Sequence, residues 1–185
     1  HQDTSYYNVE GDDLIRVWVS PDPVPRGASL EVVRGSHQSN MTYRPLVGRD
    51  PRVSKEKHQG ILAKAQQKGF YERPGKDFSY NDSLLDTSLP EIPDIDNNRG
   101  RYDIIGWEYE PGDVILFHGN IIHGACNETV LSYARRAHAI MFAGPNVRYL
   151  KRKGQVIPDP KALTSFKPQT GQFLSDFGDI FPKVG

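Results

Sequence analysis

The chain has 185 residues and a mass of 20.9 kDa, which fits one domain and leaves room for a closed core. Lys plus Arg and Asp plus Glu number 23 each, so the formal net charge is zero. A balanced surface exerts no long-range pull on phosphate backbones or anionic lipid, so neither nucleic acid nor membrane is expected as a partner. No apolar run reaches the ~20 residues of a spanning helix. Cys126 is the single cysteine, which excludes an internal disulfide and sets the cytoplasm as the expected compartment. Gly (17) and Pro (14) are plentiful, so loops are expected in quantity and long helices are not. Chemistry-bearing residues stand at the very start, at His1, so a natural N-terminal part is expected to be missing.

The first strand is expected over 13–19, which is rich in β-branched and aromatic residues and is stopped by Pro21, Pro23 and Pro25. Residues 28–33 alternate apolar and polar, and the two strands are expected to pair as antiparallel neighbours. Residues 37–101 are expected to form an inserted lid. Within it Ser54 caps a helix over 55–68, with Ile61, Leu62 and Ala65 on one face and Gly69 at the end. Segments 103–110 and 113–117 flank Pro111-Gly112, which suits the central positions of a type II turn, so a hairpin is expected there. A short strand over 120–123 ends at Gly124, and a stronger one spans 135–142. The tail, 143–185, is expected to wrap the outside, with Arg148, Lys151, Arg152 and Lys153 as a solvated basic face. Several short strands between turn signals predict an all-β fold with minor helix, a jelly roll forming a single domain over 1–185.

The chemistry concentrates at three places. On an extended strand, residues i and i+2 share a face, so the His1 imidazole and the Asp3 carboxylate converge. His123 ends an apolar stretch at a glycine, where a side chain can point into a barrel mouth. Joined to His1 and Asp3 it makes two imidazoles and one carboxylate, the facial triad that suits Fe(II) and leaves adjacent positions open. Arg135 follows twelve residues later with a guanidinium fork suited to a carboxylate. Ala137 and Ala139 share its face and leave room for a small dicarboxylate; Arg136, on the opposite face, is the fallback. His118 is expected to pack away from the metal, His37 to stabilise a turn, and Cys126 to be a small buried residue.

His1-Gln-Asp3, Trp18, Gly35-Ser-His37, Gly112-Asp113, Phe117-His118, His123-Gly124, Asn127 and Arg135 occur in an order that resembles the phytanoyl-CoA dioxygenase-like enzymes. The resemblance spans 1–142 and implies a double-stranded β-helix binding Fe(II) and 2-oxoglutarate. It implies His1, Asp3 and His123 as the metal ligands and catalytic centre. Arg135 matches the residue that holds the distal carboxylate of 2-oxoglutarate, and Gln2 and Trp18 match positions lining the cosubstrate pocket. The implied activity is hydroxylation of a small-molecule substrate with O2, releasing succinate and CO2. Related halogenating enzymes carry a small residue in place of the carboxylate ligand, so Asp3 favours hydroxylation. Two departures stand out: Ala125 replaces the family's usual Ser, and 119 residues separate Asp3 from His123. Two rival readings are a non-catalytic jelly-roll binding module and a copper monooxygenase using an N-terminal His amine and imidazole. The single cysteine weighs against the second, since such enzymes usually carry disulfides.

Overall fold

A computed structural model describes residues 1–45, 88–126, 128–152 and 167–184. The helix expected over 55–68 lies outside the described residues, as do Asn127 and Lys153. Eight strands are present among those described, and the helical pieces are short 3-10 turns such as Thr4–Tyr6 and Asp96–Arg101. The β-branched and aromatic run becomes β2 (Leu14–Val19), preceded by the short β1 (Val9–Glu10). The other strands are β3 (Leu30–Val33), β4 (Ile104–Gly106), β5 (Val114–His118), β6 (His123–Ala125), β7 (His138–Ala143) and β8 (Arg148–Tyr149). They form two antiparallel sheets of three strands, β5-β2-β7 and β4-β3-β6, and a ribbon of β1 with β8.

The two larger sheets share one core. Trp18 and Phe117 from the first meet Val32 from the second, with Val24, Ala28, Tyr109 and Ile121 filling the space between. Full burial of side chains of this size contributes about 1.5–3 kcal/mol each. Alternation along β2 turns Leu14, Arg16 and Trp18 to one face of the sheet, Trp18 into this core and Leu14 into a second cluster with Val9 and Val147. Arg16 stands opposite Phe117 and Met141, and Trp18 opposite Ile115 and Ala139. The other face of the same sheet leaves Ile15, Val114, Leu116 and Ile140 exposed.

Two expected pairings are corrected. β2 and β3 are not neighbours: the proline-bearing connection carries the chain from one sheet to the other, and Val24 within it bridges Tyr109. Prolines have no amide hydrogen to give to a ladder, and a connection of this length exceeds a tight hairpin. The expected hairpin of β4 with β5 is likewise a corner. The turn itself forms, with the Asp113 amide donating to the Glu110 carbonyl at 3.0 Å and Gly112 at φ 102°. Its two arms then part, β4 to β3 and β5 to β2, as strands do when they switch sheets in a sandwich.

Strand limits move as well. Asn120 and Ile121 sit in a turn closed by the Ile121 amide on the His118 carbonyl, so the expected strand over 120–123 becomes β6, starting at His123. The strand expected over 135–142 becomes β7, starting at His138 because the Arg136 amide is spent on the Asp22 carboxylate. The described part of the tail packs outside as expected, Val147, Tyr149 and Leu174 closing over Val9 and Leu14. The basic residues there are not simply a solvated face. Arg152 donates to the Tyr7 and Val9 carbonyls at 3.1 and 3.0 Å, and Arg148 to the Gly171 carbonyl at 2.7 Å. Among the described residues no helix is long and apolar enough to cross a membrane.

Candidate metal centre

The site is built by a reciprocal pair of backbone hydrogen bonds. The His1 nitrogen donates to the His123 carbonyl at 2.8 Å, and the His123 amide donates to the His1 carbonyl at 2.9 Å. β3 holds His123 from the other side, with Val32 as its register partner. Asp3 reaches the same place through a turn rather than an extended strand: it lies at φ −69°, ψ −39° and starts the Thr4–Tyr6 turn. The next residue is pinned by the Thr4 amide on the Gly119 carbonyl at 3.1 Å. A Cβ at Gly119 would fall 2.8 Å from the Thr4 hydroxyl and 3.1 Å from the Leu14 Cβ, so any side chain there would have to displace both.

His1, Asp3 and His123 are brought together, each offering one donor atom, all within 4.8 Å of one another. Asp3 Oδ1 lies 3.4 Å from His1 Nε2 and 3.6 Å from His123 Nε2. Among the described residues no other group of three His, Cys, Asp or Glu side chains gathers in this way. Asp3 and His123 are buried and His1 is exposed. His123 Nδ1 stands 3.0 Å from the Ile121 carbonyl. A carbonyl only accepts, so Nδ1 carries the proton and Nε2 presents its lone pair to the site.

The electrostatics favour ligand-ready forms. Burial, then the nearby charge of His1, lowers the His123 pKa to about 4, so its imidazole is neutral at physiological pH. Burial pushes the Asp3 carboxyl up, but hydrogen bonds from His1 and Arg16 and the charges of His123 and Arg16 outweigh it. Asp3 is therefore held well below the usual carboxylate range. A neutral imidazole at His123 and an ionised carboxylate at Asp3 are donor forms that Fe(II) accepts, and both are supplied from buried positions.

One pH effect follows. His123 has a lower pKa folded than its ordinary 6.5, so the unfolded chain binds more protons between these values. Metal-free protein should be most stable above pH 6.5 and lose up to about 2–3 kcal/mol as pH falls to 4. Thermal midpoints measured across that range check this, and His123→Gln should flatten the slope.

The other residues singled out in the sequence fall in different places. Gln2 is 1% exposed, and its amide donates to the Met41 and Asn120 carbonyls at 2.9 and 2.8 Å and accepts from the Tyr43 amide at 2.9 Å. Its polar atoms brace three backbone segments beneath the site. Trp18 is buried against Tyr109, ring centroids 5.3 Å apart, and the Arg135 guanidinium lies 5.6 Å over the Trp18 ring. Arg136 is held outside by the Asp22 carboxylate at 2.6 Å. His118 Nε2 meets the Asp12 carbonyl at 2.6 Å and its Nδ1 accepts from the Asn120 amide, so both ring nitrogens serve packing. His37 sits in the Ser36–Ser39 turn with its ring beside His118, and Cys126 is a free, buried residue.

One residue escaped the sequence reading. Arg16 donates from Nε to Asp3 Oδ2 at 2.5 Å. The available signal was its place between Leu14 and Trp18 in the alternation of β2, a lone charge on an inward row. Beside His1 and His123 a cleft opens, lined by Val33, Ile95, Ile104 and Ile122 and by Glu31 and Arg99. The last two are joined by hydrogen bonds of 2.9 and 3.0 Å.

Comparison with known proteins completes the picture. Two similar solved structures are the non-heme α-ketoglutarate-dependent carbocyclase SnoK and epimerase SnoN, both from nogalamycin biosynthesis. Each has a TM-score of 0.50, with 17% and 16% sequence identity respectively, and each covers 94% of this chain. The chain spans about half of their length, 51% and 52%. At that identity the likeness establishes the fold, the expected jelly roll. Comparison with curated proteins gives no match. The family model described as phytanoyl-CoA dioxygenase matches residues 1–137. A stretch that takes in both sheets' central strands and every residue of the triad is thus accounted for, and the chain belongs to the phytanoyl-CoA dioxygenase family, which implies Fe(II) and 2-oxoglutarate.

Proposed function

We propose that the chain carries the metal centre of an Fe(II)- and 2-oxoglutarate-dependent dioxygenase that hydroxylates a small-molecule substrate. The observation that carries this reading is the convergence of His1, Asp3 and His123, with donor atoms within 4.8 Å. In it, these three side chains would hold the ion, a donor set that would leave further positions for other ligands. Bound Fe(II) supplies the oxidising chemistry that couples O2 and 2-oxoglutarate to a substrate C–H. Arg135, seated over Trp18, grips the distal carboxylate of the cosubstrate with paired charge-assisted hydrogen bonds and so fixes its orientation. Phe117, with its ring centroid 4.8 Å from that of His123, keeps water from that imidazole. The aliphatic cleft beside the histidines takes the substrate's apolar body, and the Glu31–Arg99 pair at its wall meets a polar group.

The solved structures of the same fold are named as a carbocyclase and an epimerase, so the product decides between reaction types. Protein reconstituted with Fe(II) without oxygen, then given 2-oxoglutarate and air, should convert 2-oxoglutarate to succinate. A substrate found by screening should gain one oxygen atom. The matched structures are about twice as long, so the assay includes any longer polypeptide containing the chain. Iron-loaded protein that never forms succinate would leave a binding module; a product of unchanged oxygen content would replace hydroxylation by cyclisation or epimerisation.

A further inference from the structure

We infer that Arg16 is a positioning residue that makes Asp3 a one-oxygen ligand, an inference that rests on the metal centre proposed above. A carboxylate has two equivalent oxygens and, left free, can turn to give an ion one or both of them. In this chain they are told apart by their surroundings. Oδ1 faces the two imidazoles, at 3.4 and 3.6 Å from their Nε2 atoms. Oδ2 is taken by Arg16 Nε at 2.5 Å. The Arg16 side chain is 16% exposed and that of Asp3 5%, so water has little access to compete for the bond. β2 fixes the arginine itself: its register pairs Arg16 with Phe117 on one side and Met141 on the other. The Tyr7 ring lies 5.9 Å from its guanidinium carbon.

Turning Asp3 so that both oxygens met the ion would break a charge-assisted hydrogen bond and leave a guanidinium without its partner. The bond therefore keeps the carboxylate to a single coordination position and preserves the adjacent ones for a chelating cosubstrate and O2. It also sets the carboxylate plane, which fixes where Oδ1 stands relative to the imidazoles. An outer partner of a metal ligand is generally worth about 10- to 100-fold in metal affinity.

Co(II) gives a direct readout, because its visible absorption reports coordination number without turnover. Arg16→Met should bind Co(II) about 10- to 100-fold more weakly than the unchanged protein. Its d–d bands should also weaken as Asp3 becomes a two-oxygen ligand and the coordination number rises. Arg16→Lys, which restores the charge and one donor, should recover most of the affinity and the original spectrum. Melting curves of the metal-free variants establish that they fold; if Arg16→Met does not, Arg16→Gln takes its place. Affinity within about twofold of the unchanged protein, with superimposable bands, would overturn the assignment. His123→Ala separates the two levels of the argument. If the unchanged protein takes up no Co(II) that this variant loses, the metal centre itself fails; if it does and Arg16→Met is indistinguishable from it, only the role of Arg16 fails.

Discussion

Asp3→Ala is expected to weaken Fe(II) binding by more than about 100-fold, beyond what loss of an outer partner costs. Two effects add. In the proposed centre the ion would lose its one anionic donor and be left to the two imidazoles. Arg16 also loses the carboxylate at 2.5 Å and keeps a mostly buried guanidinium without a counter-charge. Since Arg16 retains some contact with water, the stability loss is placed at about 1–3 kcal/mol, below that of a fully buried broken pair. Calorimetric titration with Fe(II) under nitrogen measures the first effect and a melting curve of metal-free protein the second. Asp3→Asn separates them: it keeps an acceptor for Arg16 and so most of the stability, yet removes the charge the ion needs. Unchanged affinity in Asp3→Ala would take Asp3 out of the ligand set.

Arg135→Ala is expected to raise the KM for 2-oxoglutarate about 10- to 100-fold, the worth of a charge-assisted pair of hydrogen bonds, with a smaller change in kcat. In the proposed assignment the guanidinium would bind the cosubstrate's remote end, so its loss would act before the oxidative step. Arg136→Ala tests the fallback. Its guanidinium is tied to Asp22 on the exposed side of the sheet, at 2.6 Å. A larger KM increase for Arg136→Ala than for Arg135→Ala would reverse the assignment. Steady-state succinate formation against 2-oxoglutarate concentration gives both values.

What could be read from the residues, and what could not, follows from the range of the interactions. The strand at Leu14–Val19 was legible because β-branched and aromatic side chains announce it locally. The turn at Pro111-Gly112 was legible for the same reason, since the positive φ of Gly112 is a demand of the turn itself. Partners were not legible. Whether β2 lies beside β3 or across from it depends on how two sheets close on one core, and nothing within ten residues records that. The convergence of His1 with Asp3 was anticipated, but the path differed: a tight turn at Asp3, anchored on Gly119, does the work assigned to an extended strand. The surroundings of Gln2 were not legible either, because its amide meets three backbone groups that no local pattern names. Nor was Arg16, a residue without a motif whose importance is visible only once Asp3 stands beside it.

The reciprocal hydrogen bonds between His1 and His123 join residues 122 positions apart. Closing so long a loop costs entropy, and the Thr4–Gly119 and Gln2–Asn120 hydrogen bonds that help to offset it close loops nearly as long, so this junction belongs among the last to form as the polypeptide folds. An ion would then arrive at a pocket completed only after the rate-limiting barrier. Its grip would act as a latch on the finished molecule, slowing the escape to the denatured ensemble while leaving the forward rate almost as it was.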